Sequence, residues 1–301
     1  MEDAKAPGRS GQRPFHPGIL EHLSSPVWQQ ALVLMQHDGF DAAMLSYCRS
    51  MAEPNGFRWP TNKIFAQKMR YLTCYTLIGL DTQFRRGLGP PPSMRDLQAA
   101  VPGSSRQVND LLSGLRAGGY VIAERSATDR RSVLLRPTPA LVQEVARSPL
   151  AFLSAAECLM PANTPLSEQL RADPARLALM MGVSVPLYQA QDILFSPFDS
   201  VVEFTGRDSG YLILCAVMGG HLAAKTGQSW PLPVSYDALA QRFQVSRQHV
   251  GNVLAHAARC GFFVTQRGKV QDVSEALVTE FSCWCAGQMS HYRTLAIESA
   301  A

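Results

Sequence analysis

The chain has no C-x-x-C pair and no secretory or membrane-spanning stretch. Its seven cysteines, Cys48, Cys74, Cys158, Cys215, Cys260, Cys283 and Cys285, are scattered and odd in number. That usage argues against a disulfide framework and points to a reduced, cytosolic chain. No His/Cys/Asp cluster has metal-ligand spacing, so no metal is expected. Charged residues are also scarce, at 17% against 46% hydrophobic. That much apolar surface excludes a mainly disordered chain. The longest apolar run, YLILCAVMGGHLAA (Tyr211 to Ala224), includes Gly219, Gly220 and His221. It falls short of the roughly 20 residues of a membrane span and reads as a buried helix. The start, MEDAKAPGRSGQRPFHPG, lacks the apolar segment of a secretory signal. A P-loop, G-x-S-x-G, H-E-x-x-H and a glycine-rich dinucleotide motif are all missing. No catalytic residue and no cofactor is therefore expected, and the chain reads as a non-enzyme.

The chain does have 301 residues arranged in recurring blocks. At roughly 100–200 residues per domain, that length predicts two domains. Residues 1–17 read as a flexible tail. Residues 18–147 read as N-terminal helices and a first domain, 148–206 as a helical linker, and 207–301 as a second domain with a C-terminal helix. In the first domain a helix is expected from Thr61 to about Asp81, with Ile64, Phe65, Met69, Leu72, Leu77 and Leu80 at helical intervals. LGPPPS is a stiff break. MRDLQAAV then reads as a short helix. Ser104 or Ser105 can cap the next helix, RQVNDLLSGLRAG, whose Val108, Leu111, Leu112 and Leu115 share a face. YVIAER and SVLLRP read as strands around the turn SATDRR.

The same order returns later: a helix over Gly210 to Lys225, a break, a short helix from Tyr236 to Phe243, a helix from Ser246 to Cys260, a tight hairpin around Gly268, and a helix from Ser274 onward. SSRQVNDLLSGLRAGGYV (Ser104 to Val121) lies on SRQHVGNVLAHAARCGFF (Ser246 to Phe263) without a gap. Ser104 falls on Ser246, Val108 on Val250, Leu112 on Leu254, and Gly119 on Gly261. We read this as an internal duplication.

Gly119, Tyr120, Val121, Asp129, Arg130, Arg131, Val133, Leu134 and Thr138 follow the pattern of a recognition helix ending in Gly, a hydrophobic strand, an Asp-x-Arg-like tip and a return strand. On these residues the segment 61–147 resembles a MarR-type winged helix-turn-helix domain. The segment 207–291 resembles a generic winged helix with a shorter wing, Gln266-Arg267-Gly268-Lys269. MarR proteins ordinarily carry one such domain per chain and pair as homodimers, whereas this chain carries two units. The resemblance implies a mainly α fold with small β-wings, namely tandem winged helix-turn-helix domains joined by a helical linker. It also implies a double-stranded DNA partner, a bacterial transcription regulator, and a cytoplasmic, nucleoid-associated location.

The residue chemistry agrees with that implication. On the first helix Ser105, Arg106, Gln107, Asn109 and Asp110 are expected to face outward. On the second, Arg247, Gln248, His249, Gly251 and Asn252 are. Arg pairs with guanine and Asn or Gln with adenine, and the start of such a helix enters the major groove. Ser104 and Ser246 sit where a hydroxyl caps the helix or touches phosphate. Arg130 and Arg131 on one hairpin tip, and Arg267 and Lys269 on the other, suit a narrow minor groove. Positive charge collects in these segments. Residues 58–86 carry net +5, 104–136 net +3 and 234–269 net +4, which leaves −8 for the remainder of a chain whose total is +4.

Other residues have blander readings. Tyr120 and Phe262 read as core plugs, Asp129 as a turn former or partner of a wing Arg, and His221 and His256 as packed or surface residues. His249 also reads as a solvated helix residue. Cys283-Trp284-Cys285 reads as structural, because its cysteines point to different helix faces. Cys260, at the end of the second recognition helix, is a weak redox-sensor candidate. The expected function is a sequence-specific regulator, a single-chain pseudo-dimer reading two unlike half-sites, with further dimerisation left open. The alternatives are a replication initiator with tandem winged helices, or an adaptor in which one winged helix docks a partner protein. The middle segment, with Leu166, Leu177, Leu179, Met180 and Met181, serves either as linker core or as a small-molecule effector pocket.

Overall fold

A computed structural model describes residues 13–53, 66–101, 103–125, 133–190 and 192–299. They are mainly helical, with two small antiparallel sheets. A 3-10 turn over Pro17–His22 leads to α1 (Pro26–Met35) and α2 (Phe40–Ala52). Ser25 caps α1 by accepting the Trp28 amide, and Pro26 supplies the fixed φ of a first helical turn. A first unit follows: α3 (Lys68–Arg85), α4 (Met94–Ala100), α5 (Ser105–Ala117), and a hairpin of β1 (Val121–Arg125) and β2 (Val133–Pro137). Four intervening helices are α6 (Pro139–Val145), α7 (Arg147–Leu159), α8 (Leu166–Ala172) and α9 (Pro174–Ala190). Then come α10 (Asp199–Thr205) and a second unit: α11 (Gly210–Lys225), α12 (Tyr236–Phe243), α13 (Arg247–Arg259), and a hairpin of β3 (Phe263–Gln266) and β4 (Lys269–Val273). The last helix is α14 (Glu275–Glu298).

The two units repeat the same hydrogen bonds. Ser93 caps α4 and Ser235 caps α12. Each of these serines also bridges to the return strand of its own hairpin. Ser104 caps α5 and Ser246 caps α13. Both longer helices stop at a left-handed glycine, Gly119 at φ +74° and Gly261 at φ +75°. The Tyr120 amide reaches back to the Leu115 carbonyl (2.8 Å), and the Phe262 amide reaches the Ala257 carbonyl (2.9 Å). Only a residue without Cβ takes that turn cheaply, so the helix stop is written in the glycine. The Thr138 amide then bonds the Tyr120 carbonyl, and the Ser274 amide bonds the Phe262 carbonyl.

The expected helix from Thr61 to Asp81 differs at both ends. Residues 61–65, with Ile64 and Phe65, lie outside the described residues. The described helix starts at Lys68 and runs on to Arg85. It ends where Gly87, at φ +71°, sends its amide to the Phe84 carbonyl. Nor is α3 buried on a single stripe, since every residue from Thr73 to Gly79 is buried. The extra cover is α9, which packs along it. A Cβ on Gly79 would sit 2.6 Å from Val185, and one on Gly182 would sit 2.4 Å from Thr82. A glycine on each helix therefore permits the close approach. Leu177, Met180 and Met181 of α9 are fully buried, so this part of the middle segment is core. Arg130 and Arg131, with Asp129, lie outside the described residues.

One hydrophobic cluster runs through both units. The helices α1 and α2, which precede the first unit in sequence, pack on α14 and α11. At the centre is α14, whose residues from Glu280 to Tyr292 are all buried. A helix covered on every side must have its polar groups paired. The Glu280 carboxylate accepts the Val201 amide (3.0 Å), Gln288 donates to the Leu194 carbonyl (3.4 Å), and Ser290 donates to the Val27 carbonyl (2.8 Å). His291 Nε2 meets Ser184 Oγ at 2.7 Å, and Trp284 donates to the Tyr211 hydroxyl at 2.8 Å. Cys283 and Cys285 are buried on this helix, and burial pushes both thiols up, Cys283 to about 11. That fits a structural role.

Two outcomes follow from this packing. A Cβ on Gly287 would lie 2.7 Å from the Trp28 ring, whereas one on Gly114 would meet nothing within 4 Å. Gly287→Ala should cost about 2 kcal/mol through overpacking. Gly114→Ala, on an exposed helix face, should gain up to about 1 kcal/mol. Urea unfolding of the two variants checks the opposite signs. Burial also lowers the His291 imidazole to about 4, against about 6.5 for a free histidine. The unfolded chain therefore takes up a proton at His291 before the folded chain does. Stability is lost as pH falls through that window, by about 3 kcal/mol. His291→Gln should show a shallower fall of the urea midpoint between those pH values. Parallel profiles for wild type and variant would contradict the buried neutral ring.

Candidate nucleic-acid interface

The apolar stripe of α5 (Val108, Leu111, Leu112, Leu115) packs inward, which leaves Ser104, Ser105, Arg106, Gln107, Asn109 and Asp110 exposed. Arg106 is 91% exposed and only 4.0 Å from Asp110, an ion pair too solvated to hold it. Ser104 and Gln107 are partly committed. Their side chains form a capping box, with Gln107 Oε1 accepting the Ser104 amide (3.1 Å). Gln107 is exposed, and that box uses only its Oε1, so its amino group keeps its donors. Asn109 Oδ1 accepts from Gln98 Nε2 (3.2 Å), a bond that a base would have to replace.

On α13 the inward stripe is Val250, Val253, Leu254 and Ala257. Ser246 accepts the His249 amide at 3.0 Å. Arg247 is 68% exposed and pairs with Asp237 at 3.1 Å, again a solvated pair. Gln248 and Asn252 are exposed. His249 departs from the expected set. Its Nε2 lies 2.6 Å from the Asp208 carbonyl oxygen, so the ring is turned onto the protein's own backbone and away from a base. Gly251 faces Tyr236, since a Cβ there would lie 3.4 Å from that ring.

In the β3–β4 hairpin both turn residues have positive φ, Arg267 at +50° and Gly268 at +73°. Such two-residue turns favour Asn-Gly. Arg267 and Lys269 are both exposed at this tip. An arginine held in a backbone region that suits asparagine better is a local cost, which directs attention to its side chain.

The fold also joins the starts of α5 and α13, which no sequence signal foretells. The turn before α5 rests on α3, with a Cβ on Gly103 falling 3.4 Å from Met69 Sδ. The next residue, Arg70, bonds Asp208 through Nη1 at 3.1 Å. Asp208 in turn holds His249 by its carbonyl.

An apolar cavity of about 130 Å³ lies among Met51, Tyr71, Phe152, Tyr211, Trp284 and Tyr292. Leu166, Leu177, Leu179, Met180 and Met181, the candidate pocket residues of the middle segment, do not line it, but Leu179 lines a second cavity of about 240 Å³ with Thr82, Val142, Pro174 and Ala178. Burial raises the carboxyl of Glu144 at its edge and lowers the Arg147 guanidinium, each opposed by the charge of the other.

Among the described residues no helix is long and apolar enough to cross a membrane. No protein-family model matches the chain, and no curated protein or solved structure shows significant similarity to it.

The hairpin backbone gives a direct test. Arg267→Asn should raise the thermal midpoint slightly, because it removes up to about 1 kcal/mol of left-handed strain. A lowered midpoint would mean that the arginine side chain itself holds the hairpin together.

Proposed function

We propose that the chain is a sequence-specific, double-stranded DNA-binding transcription regulator. In this reading each repeated unit is a winged helix-turn-helix domain, the first of MarR-like type. α5 and α13 are the recognition helices, and the hairpins are the wings. The chain acts as a single-chain pseudo-dimer. The observation that carries the reading is the path Gly103–Met69–Arg70–Asp208–His249, which ties the starts of both helices to one region of the molecule. The outward Ser105, Arg106, Gln107 and Asn109 on one helix, and Arg247, Gln248 and Asn252 on the other, supply major-groove donors and acceptors. Ser104 and Ser246 hold the helix starts and present them to phosphate. Arg267 and Lys269, with Arg130 and Arg131 by sequence, supply minor-groove cations. Because the two helices differ, the site has two unlike halves.

Selection from random duplexes should return an asymmetric site whose halves are centred about 10 bp apart. A perfect palindrome bound by one chain would overturn the pseudo-dimer, and iterated copies of one half beside an origin would favour a replication initiator. Arg106→Ala and Arg247→Ala should each weaken specific binding by about 1–3 kcal/mol and relax preference in one half only. Unchanged affinity and salt slope in both variants would remove these helices from the interface.

A further inference from the structure

The far end of α13 brings together three side chains that play no part in the DNA reading. His256 and Cys260 are one helical turn apart and share a face. α10 brings Glu203 to that face. The carboxylate, imidazole and thiol ligand atoms all lie within 4.8 Å of one another. Glu203 and His256 Nε2 are hydrogen-bonded, and Cys260 Sγ lies 3.5 Å from the same nitrogen.

We propose that Glu203, His256 and Cys260 form a binding site for a divalent metal of the zinc class. Around tetrahedral zinc, bonds of about 2.0–2.1 Å to nitrogen and about 2.3 Å to thiolate place the two donors roughly 3.6 Å apart. The His256–Cys260 pair already has that separation. Glu203 stands closer to His256 than two ligands of one metal would, and its side chain is exposed enough to draw back. The donor set selects the metal. Magnesium and calcium take oxygen ligands, whereas a mixed thiolate, imidazole and carboxylate set suits zinc. Binding needs the Cys260 thiol to release its proton to solvent and the imidazole to be neutral. Three protein ligands leave a fourth position for water. Arg207, 3.5 Å from the Glu203 carboxylate, is the competing cation. It is a half-exposed side chain on an i, i+4 pair and can swing into solvent.

The placement gives the metal a mechanical consequence. Residues 203–208 run beside α13, with His249 held by the Asp208 carbonyl at one end and His256 held by Glu203 at the other. A metal would replace the second hydrogen bond by coordinate bonds and fasten the end of the helix to α10. The site stands whether or not α13 reads DNA.

The test is titration of the reduced full-length chain with Co(II) as the spectroscopic probe, followed by displacement with Zn(II). One Co(II) per chain should give tetrahedral d–d bands and a sulfur-to-cobalt charge-transfer band, and Zn(II) should abolish both. Cys260→Ser should lose the charge-transfer band, and His256→Ala and Glu203→Gln should each weaken Zn(II) binding by at least about tenfold. Zn(II) should raise the thermal midpoint of the wild type but not of Cys260→Ser. Absence of a charge-transfer band in wild type, or its survival in Cys260→Ser, would overturn the site. An unchanged Zn(II) affinity in both His256→Ala and Glu203→Gln, with native circular dichroism, would do the same.

Discussion

Three and a half turns of α14 have no face toward water, and this constraint organises the molecule. A helix in that position cannot bring Glu280, Gln288, Ser290 and His291 inside unless other elements meet each of them. Those partners come from segments far away in the chain: Val27, Ser184, Leu194 and Val201. The pairing fixes where α1, α9 and α10 must lie. The second repeated unit ends in α14, so its position relative to the rest follows from the same set of bonds. Such a core tolerates little change in volume, and a Cβ on Gly287 would run into Trp28.

The proposed interface rests on that frame. α13 is gripped near its start through His249 and near its end through His256, both by the 203–208 segment. That segment is tied to α3 of the first unit through Asp208 and Arg70. The outward polar residues of the two long helices therefore belong to helices that meet through a part-exposed ion pair and a backbone carbonyl. Elements held this way position side chains more sharply than loops do.

Much of the local structure was legible in the residues. Ser104 and Ser246 mark helix starts, and Gly119 and Gly261 mark helix ends. These are short-range effects of one hydroxyl or one missing Cβ, so a window of a few residues contains them. The ungapped match between Ser104–Val121 and Ser246–Phe263 reappears as matched backbone hydrogen bonds. The burial of α3 on both faces was not legible, because α9 lies about a hundred residues later and its packing depends on glycines that look unremarkable in sequence. His249 looked like a reading residue because helical spacing placed it on the outer face. What turns it inward is the backbone carbonyl of Asp208, and a carbonyl leaves no mark in a sequence pattern.

By itself the sequence determined the order of elements within each repeated unit, the serine caps of its two long polar helices and the repetition of the unit, since each depends on neighbours within a turn or two. Tertiary structure alone decided which polar residues remain outward, how the two helix starts are joined, and that Glu203 meets His256 and Cys260. Those outcomes depend on pairings across roughly thirty to one hundred and forty residues, and chain folding brings such partners together without any local signal. A side chain's chemistry is set where it stands, but its partner is set by packing.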